Sequence, residues 1–366
     1  MKYNQIILFY PSFEKGGVEK ILINLLLFLL KKKLKIILIS SKITIDIKNK
    51  NFQQKTLKKQ SNRFYSAINA GFTLRKILKS LNKKNELKNT FVFSLQSNSI
   101  AIIISKIYRA KIIIRNSENI LGGILSKDEN LIKTCLILFQ KLILYNFSDY
   151  IITNSIGSQE IIKKLVFNKN IKCIYNPYLK NIYNKKISKR KNNILFVGRF
   201  VKQKGIIYLL QAFNTLIKKN YNFNLLLIGD GPDQKKILNF IKLNNLKKRV
   251  KVISWTNKLS KYYLESKIFV LPSVYEGLGN VVIESLNHFL PTIVSNCKYG
   301  PSEIVLNGKG GYIFENKNKD DLLKKILKII NNYDKARKKT LIGHKSLNRF
   351  LIKQQCEKYF SIFNKL

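Results

Sequence analysis

Acidic side chains are scarce in this chain. Its 366 residues include 20 Asp and Glu against 68 Lys and Arg, which gives a net charge of +48. Residues 1–180 carry 32 basic and 9 acidic side chains, and residues 181–366 carry 36 and 11. This even spread disfavours a neutral core with a separate basic arm for nucleic acid. Two origins stay open: attraction to a polyanion (anionic lipid, nucleic acid or phosphorylated substrate), and a coding bias toward Lys, Asn and Ile.

Cysteines are few and long apolar runs are missing. Cys135, Cys173, Cys297 and Cys356 lie far apart without a C-x-x-C, which disfavours a zinc site or a disulfide framework and fits a reducing cytosol. The longest apolar run, Ile21–Leu30, falls short of the roughly 20 residues that span a bilayer. The N-terminus shows no signal-peptide pattern. We therefore expect a cytoplasmic protein and leave open that it lies on a membrane.

Short apolar runs alternate with longer amphipathic stretches, the pattern of a parallel α/β sheet. The predicted strands are Ile6–Tyr10, Lys35–Ser40, Phe91–Leu95, Lys111–Arg115, Tyr150–Thr153, Lys172–Tyr175, Ile194–Val197, Asn224–Ile228, Val250–Ser254, Ile268–Leu271 and Thr292–Ser295. The predicted helices include Glu19–Leu30, Gln159–Val166, Gly205–Lys218, Pro232–Leu243, Asn280–Phe289 and Asp320–Asn331. The sequence thus predicts two α/β domains.

A polar, basic stretch at Asn176–Asn193 is typical of a linker between such domains. We place one domain at 1–180 and a second at 181–345. The remaining segment, 346–366, is predicted to contain a helix that packs back on the first domain. Two domains of this kind should leave a cleft, and ligands of open α/β sheets bind beyond the carboxyl ends of the strands.

The segment most suited to binding chemistry is Leu271–Glu284, in which a buried strand, a loop with two glycines and a helix follow one another. Glycines let backbone N–H groups approach a ligand, and a helix N-terminus favours negative groups. Glu276 and Glu284 add two carboxylates, which can accept hydrogen bonds from hydroxyl groups. The alternative is a capped helix with an exposed glutamate.

Two further segments follow predicted strands. Arg199 and Lys204 come after Ile194–Val197, and two cations there suit a diphosphate, although a solvated basic loop is the simpler interpretation. Gly16 and Gly17 precede a helix and form either an anion-binding turn or a plain strand–helix turn. Neither a Walker P-loop nor a dinucleotide G-x-G-x-x-G is present.

In this order, the three segments resemble the retaining GT-B glycosyltransferases of family 4. Glu276 and Glu284 match that family's E-x7-E motif, Arg199 and Lys204 its Arg/Lys pair, and Gly16–Gly17 its glycine loop. Further matches lie at 149–155, 174–177, 227–232 and at the C-x-x-G-P-x-E stretch 297–303 of members that build bacterial surface glycans. The resemblance implies a fold of two Rossmann-like domains that face a cleft, and the activity of a metal-independent glycosyltransferase that acts on a nucleotide sugar, with UDP as the favoured nucleotide.

The resemblance also implies a role for each matching residue. Glu284 should bind the ribose hydroxyls, Glu276 hydroxyls of the donor sugar, and the Arg199–Lys204 pair the diphosphate. Backbone amides should complete the donor site, namely those of Gly277, Leu278, Gly279, Asn280 and the Gly16–Gly17 turn. No D-x-D metal motif occurs in the sequence, and neither a metal nor a cofactor is predicted.

One feature of many family members has no match. They place a histidine in the first domain, whereas this chain has only His288 and His344, both in its second half. We expect His288 to be a packed or surface residue. By position alone, the loop Arg115-Asn116-Ser117-Glu118 is predicted to face the donor sugar or the acceptor.

The acceptor and the partner surface are predicted from charge and pattern. The stretch Leu131–Phe147 is strongly apolar with two lysines, so it forms either a core helix, the interpretation that we favour, or a helix in a membrane interface. A glycan or lipid-diphosphate acceptor on an anionic membrane surface, the inner face of the cytoplasmic membrane, would suit a cationic enzyme. Nucleic acid is not an expected partner, but a nucleic-acid-binding protein and an inactive or epimerase-like protein of the same fold remain alternatives.

Overall fold

The computed structural model describes residues 3–12, 17–41, 47–57, 63–117, 120–121, 131–184, 190–297 and 299–366. Contacts between residues divide the chain into two compact units. The first contains residues up to Leu121, Glu129–Lys180 and Phe350–Leu366, and the second contains Asn181–Arg349. The chain therefore returns to the first unit after it has completed the second.

The first unit is built on a parallel sheet of seven strands in the order β3-β2-β1-β4-β5-β6-β7. The strands are β1 (Gln5–Tyr10), β2 (Lys35–Ser40), β3 (Phe52–Thr56), β4 (Thr90–Ser94), β5 (Lys111–Asn116), β6 (Tyr150–Thr153) and β7 (Ile171–Cys173). Ile7 of β1 lies opposite Ile37 on one side and Val92 on the other. Successive side chains of a strand point to opposite faces, so the nearly continuous apolar strands supply two cores.

Helices cover both faces of this sheet. They are α1 (Gly17–Lys31), α2 (Arg63–Lys83), α3 (Asn98–Ile107), α4 (Leu131–Tyr145), α5 (Ile156–Leu165) and, from the end of the chain, α13 (Ile352–Phe363). Helices α1 and α13 share a core with Ile6 and Leu8 of β1. Helices α2 to α5 share the opposite core, which includes Ile7 and Phe9.

The second unit repeats this design with a parallel sheet of six strands in the order β10-β9-β8-β11-β12-β13. Its strands are β8 (Asn193–Val197), β9 (Asn224–Ile228), β10 (Val250–Ile253), β11 (Ile268–Leu271), β12 (Thr292–Ser295) and β13 (Tyr312–Phe314). Its helices are α6 (Ile206–Lys218), α7 (Gln234–Leu243), α8 (Leu259–Glu265), α9 (Asn280–Asn287), α10 (Pro301–Ile304), α11 (Lys319–Asn331) and α12 (Tyr333–Lys345). The predicted α/β class is confirmed in both units.

Strands β3 and β13 are absent from the sequence prediction. Strand β3 lies at the edge of its sheet with the sequence FQQKT, in which Phe52 is the single large apolar side chain. Strand β13 also lies at an edge and has three residues. Edge strands need fewer apolar side chains than central ones, and this weakens the pattern that sequence analysis detects.

The predicted core helix at Leu131–Phe147 is a helix, but the prediction that it is buried is wrong. In α4 the side chains of Leu136, Phe139 and Ile143 are exposed, and among residues 134–145, whose burial the structure describes, Tyr145 is the one that is fully buried. One side of the helix packs against the core that α2 to α5 share. No described element covers its opposite side. None of the helices that the structure describes has both the length and the hydropathy to cross a bilayer.

Candidate active site

Four loops converge at the carboxyl edge of the second sheet, because its strands are parallel and all end on the same side. They follow β8, β9, β11 and β12, and their described residues are 198–205, 229–233, 272–279, 296–297 and 299–300. The residues that sequence analysis singled out in the second half of the chain, Arg199, Lys204 and Glu276, lie in the first and third of these loops. Glu284 lies in α9, which follows the third loop.

Glu276 is held in a polar cluster that is nearly closed to solvent. Its side chain forms an ion pair with Lys204, and the two side chains are 8% and 14% exposed. Its Oε1 atom also accepts a hydrogen bond from Ser273 Oγ at 2.7 Å. The structure thus joins two residues that the sequence prediction treated as separate ligand contacts. A diphosphate that approaches Lys204 would compete with a carboxylate already in place.

Backbone contacts lock the loop of Lys204 against the loop of Glu276. Val274 N donates to Gln203 O at 2.7 Å, and Gln203 Nε2 donates to Tyr275 O at 3.0 Å. Gly205 has φ +61°, and a Cβ atom there would lie 2.1 Å from Pro272 O. Only glycine permits both that backbone conformation and that approach.

The segment after β12 supports the start of α9. A Cβ atom on Gly300, where φ is +80°, would lie 2.6 Å from Gly277 O. Burial raises the pKa of the Cys297 thiol to about 12, and the charge of Glu276 adds to that shift. Cys297 is therefore a neutral packing residue, and the C-x-x-G-P stretch supports the backbone around Gly277 and Leu278.

Glu284 is oriented by an aromatic residue from a different helix. Tyr263 of α8 donates its hydroxyl hydrogen to Glu284 Oε2 at 3.0 Å. The ring of Tyr263 stacks on His288, with 5.1 Å between centroids, and His288 Nδ1 lies 2.8 Å from Glu284 O. Burial lowers the pKa of His288, so its ring is neutral. Of the two expected environments, packed or at the surface, the structure shows the packed one.

Arg199 differs from Lys204, because the side chain of Arg199 is exposed. Within the described part of the chain, no carboxylate lies in ion-pair range of its guanidinium. The backbone beside it is fixed, since Phe200 N donates to Asp230 O at 2.8 Å and Asp233 N donates to Phe200 O at 3.0 Å. Arg199 is thus a solvent-facing cation on a fixed loop.

The predicted site residues of the first unit are partly exposed, partly buried and partly outside the described residues. Gly17 is the first residue of α1 and is exposed, whereas Gly16 and Glu118 lie outside the described residues. Asn116 is buried and lies within hydrogen-bond range of Tyr145 Oη, at 3.4 Å.

The prediction that Arg115 faces a sugar or an acceptor is not supported. Its side chain is 1% exposed, and its Nε donates to Tyr359 Oη of α13 at 2.8 Å. Its other two nitrogens donate to Ser117 Oγ and Asn176 Oδ1. The bond to Tyr359 links the end of β5 to the C-terminal helix α13.

Sequence analysis did not assign roles to Ser273 and Tyr263. Ser273 lies inside the segment Leu271–Glu284, three residues before Glu276, with which its side chain forms a hydrogen bond. Tyr263 lies 21 residues before Glu284 on another helix, and no local pattern relates the two.

Comparison with known proteins finds a family model that matches this part of the chain. Residues 180–341 match the family model described as "Glycosyl transferases group 1". The matched stretch contains the four loops, Tyr263 and Glu284.

Relatives by sequence carry glycosyltransferase names. An "Uncharacterized glycosyltransferase" of Haemophilus influenzae is 33% identical over 184 residues, 50% of this chain and 52% of that protein. The chain thus spans about half the length of that relative. The "N-acetylgalactosamine-N,N'-diacetylbacillosaminyl-diphospho-undecaprenol 4-alpha-N-acetylgalactosaminyltransferase" of Campylobacter jejuni is 28% identical over 342 residues, 90% of this chain and 91% of that protein.

The fold of the whole chain is similar to that of a solved structure, Anabaena Alr3699/HepE in complex with UDP and glucose. The TM-score is 0.77 at 16% identity, and the match covers 100% of both chains. At that identity the likeness concerns the fold alone, and it confirms the predicted GT-B class of two α/β units with parallel sheets.

Proposed function

We propose that this chain, whose residues 180–341 match the glycosyl transferases group 1, is a glycosyltransferase of bacterial surface-glycan synthesis. It transfers a hexose or an N-acetylhexosamine from a nucleotide sugar to a glycan or lipid-linked acceptor. The observation that carries this proposal is the grouping of Glu276, Lys204, Arg199 and Glu284 at the carboxyl edge of one parallel sheet. The names of the H. influenzae and C. jejuni relatives support it.

The second unit binds the donor, with UDP as its nucleotide. Glu284, oriented by Tyr263, accepts hydrogen bonds from the ribose hydroxyls, and Glu276 accepts them from the sugar. Arg199 is the exposed cation that meets the diphosphate. Backbone amides at Gly277–Asn280, at the start of α9, bind the remaining anionic oxygens, since helix N-termini favour negative groups.

The reaction proceeds with retention of configuration at the anomeric carbon. The bond from that carbon to the diphosphate oxygen breaks, and a bond to the acceptor oxygen forms on the same face. A phosphate oxygen takes the proton of the acceptor hydroxyl. Arg199 and Lys204 stabilise the negative charge that builds on the diphosphate, and no metal clamp is required. Positioning and electrostatic stabilisation of the leaving group therefore supply the catalysis.

The acceptor is bound by the first unit and is linked to a lipid diphosphate. The C. jejuni relative, whose name states a diphospho-undecaprenol acceptor, supports this choice. Such an acceptor lies in a membrane, so the enzyme works as a peripheral protein on the inner face of the cytoplasmic membrane, next to anionic lipid and not on nucleic acid.

Turnover of UDP-sugars tests the proposal. The variants Glu284→Ala and Arg199→Ala should reduce kcat/KM at least about 100-fold, because each removes a charged contact made to donor or leaving group. The matched controls are Glu265→Ala and Arg249→Ala. Glu265 ends α8 just before β11, and Arg249 directly precedes β10, so both lie at the amino ends of the strands and away from the candidate site. Both controls should keep the wild-type rate.

Full activity in Glu284→Ala and Arg199→Ala, with unchanged circular dichroism, would overturn the site. Consumption of the nucleotide sugar without transfer to any acceptor would overturn the transferase and favour an epimerase-like protein. Analysis of the product by NMR reads out the anomeric configuration, and inversion would refute the retaining reaction.

A further inference from the structure

Three neighbouring helices in the first unit carry exposed apolar side chains on their outer surface. Helix α3 packs against α2 on one side and α4 on the other, so the three form one layer over the sheet. We name their outer surface the α2–α4 face. Its large exposed side chains are Phe72, Ile103, Ile107, Leu136, Phe139 and Ile143.

Four of these side chains have more than half of their surface in contact with solvent. Ile107 is 67% exposed, Phe139 64%, Leu136 63% and Phe72 57%. Single exposed apolar residues are common on soluble proteins, but neighbouring ones on one layer mark a surface that binds a partner. Covering that surface removes the free-energy cost of keeping these apolar side chains in water.

The same three helices lack acidic residues altogether. The sequences of α2, α3 and α4 contain no Asp or Glu, whereas α1 contains Glu19 and α13 contains Glu357. Arg75, Lys76 and Lys79 of α2 are exposed. A face with exposed apolar side chains and only basic charges is complementary to an assembly that carries anionic groups at its surface and apolar groups beneath them.

We propose that the α2–α4 face binds directly to an anionic membrane. The apolar side chains of α3 and α4 enter the boundary between headgroups and acyl chains, and the basic side chains of α2 bind the lipid phosphates. A second copy of the chain fits this face poorly, because a two-fold contact would bring two sets of basic residues together. The proposal rests on the proposed lipid-linked acceptor and names the surface by which the enzyme reaches it.

Sedimentation with lipid vesicles tests the face. The full chain is mixed with vesicles of phosphatidylcholine alone or with phosphatidylglycerol added, at low and high salt. The double variant Leu136→Ser/Phe139→Ser should bind the anionic vesicles at least about tenfold more weakly, because two exposed apolar side chains no longer enter the lipid. The triple variant Arg75→Gln/Lys76→Gln/Lys79→Gln should lose a similar factor, and its binding should depend less steeply on salt than that of the wild type.

The matched control is Leu238→Ser/Leu243→Ser, which removes two exposed leucines from α7 of the second unit. It should bind vesicles as the wild type does. UDP titration of every variant reports the donor site separately, so loss of vesicle binding with unchanged UDP binding separates this proposal from the proposed function.

Several results would overturn the α2–α4 face as a membrane surface. These are absence of wild-type binding to anionic vesicles, equal binding to neutral vesicles at all salt concentrations, and unchanged binding by both face variants. A concentration-dependent dimer that Leu136→Ser/Phe139→Ser abolishes, without vesicle binding, would assign the face to a second copy instead.

Discussion

Lys204 and Glu276 lie 72 residues apart in the chain and meet in an ion pair that is largely shielded from water. A charge in such a place is stabilised by its partner and is costly when it is left alone. The pair therefore fixes two loops of the candidate active site and holds the carboxylate that we propose as a contact of the donor sugar. Arg199, in contrast, has an exposed side chain and contributes charge to the site without a described ion-pair partner.

Removal of one member of the pair should therefore lower stability. We expect Lys204→Met to reduce the free energy of unfolding by about 3 kcal/mol, because Glu276 stays buried without its cation. The double variant Lys204→Met/Glu276→Gln should recover about half of that loss, since neither charge remains. Urea titration followed by the fluorescence of Trp255, the single tryptophan and a residue of the second unit, measures these values.

The control is Lys191→Met, which breaks the solvent-exposed ion pair of Lys191 with Glu265. Exposed pairs contribute at most about 1 kcal/mol, so this variant should differ little from the wild type. A loss in Lys204→Met no larger than in Lys191→Met would show that the Glu276 pair does not stabilise the fold.

At the scale of elements, one carboxylate ties a helix and two strands of the first unit together. Asp149, which precedes β6, accepts hydrogen bonds from Lys106 of α3 at 3.1 Å and from Lys111 of β5 at 2.8 Å. It also accepts one from the backbone N–H of Ile112 at 2.9 Å. Burial alone would raise the pKa of Asp149, but the bonds from Lys111, Ile112 and Lys106 together hold it below its ordinary value.

The lowered pKa predicts a pH-dependent stability. A carboxyl group whose pKa is lower in the folded state stabilises the fold above its unfolded-state pKa, and this contribution is lost as the pH falls through the folded-state value. We expect Asp149→Asn to lower the free energy of unfolding by about 2 kcal/mol at neutral pH. The difference from the wild type should shrink below about pH 4.

Urea unfolding followed by far-ultraviolet circular dichroism at several pH values measures this difference. Glu357→Gln is the control, because Glu357 pairs with Lys32 on the surface of the first unit. If Asp149→Asn and the wild type differ equally at all pH values, the carboxylate does not act through its ionisation.

On the scale of the whole molecule, the first unit depends on a helix that follows the second unit in the sequence. Helix α13 places Cys356, Tyr359, Ile362 and Phe363 in the core with Phe91 and Phe93 of β4. Each such side chain contributes about 1.5–3 kcal/mol on burial, whereas a domain is stable by about 5–15 kcal/mol in total.

Deletion of residues 351–366 should therefore unfold the first unit and leave the second folded. Limited proteolysis would cut within residues 1–180, while the cooperative unfolding reported by Trp255 fluorescence would remain. The control Lys353→Ala/Lys358→Ala changes two exposed positions of α13 and should keep wild-type resistance to protease. Resistance of the first unit after the deletion would show that α13 is dispensable.

Sequence analysis located most central strands because buried parallel strands are continuous apolar runs, as in β5 and β11. It located the candidate active-site loops because Glu276 and Arg199 follow such runs. It did not find the Lys204–Glu276 pair, since that contact depends on the close approach of Gly205 to Pro272. The burial of Arg115 could not be predicted, because the hydroxyl oxygen that accepts its hydrogen bond belongs to Tyr359, 244 residues further on.

The position of α13 also bears on how the protein is made. Residues 181–349 leave the ribosome as a continuous stretch and can fold as soon as they emerge. The sheet of the first unit is synthesised earlier, yet the face that α1 covers in part is completed only when residues 352–363 follow. During synthesis Phe91, Phe93 and the apolar side of α1 are therefore exposed longest, which makes the older half of the nascent chain the one that needs a chaperone.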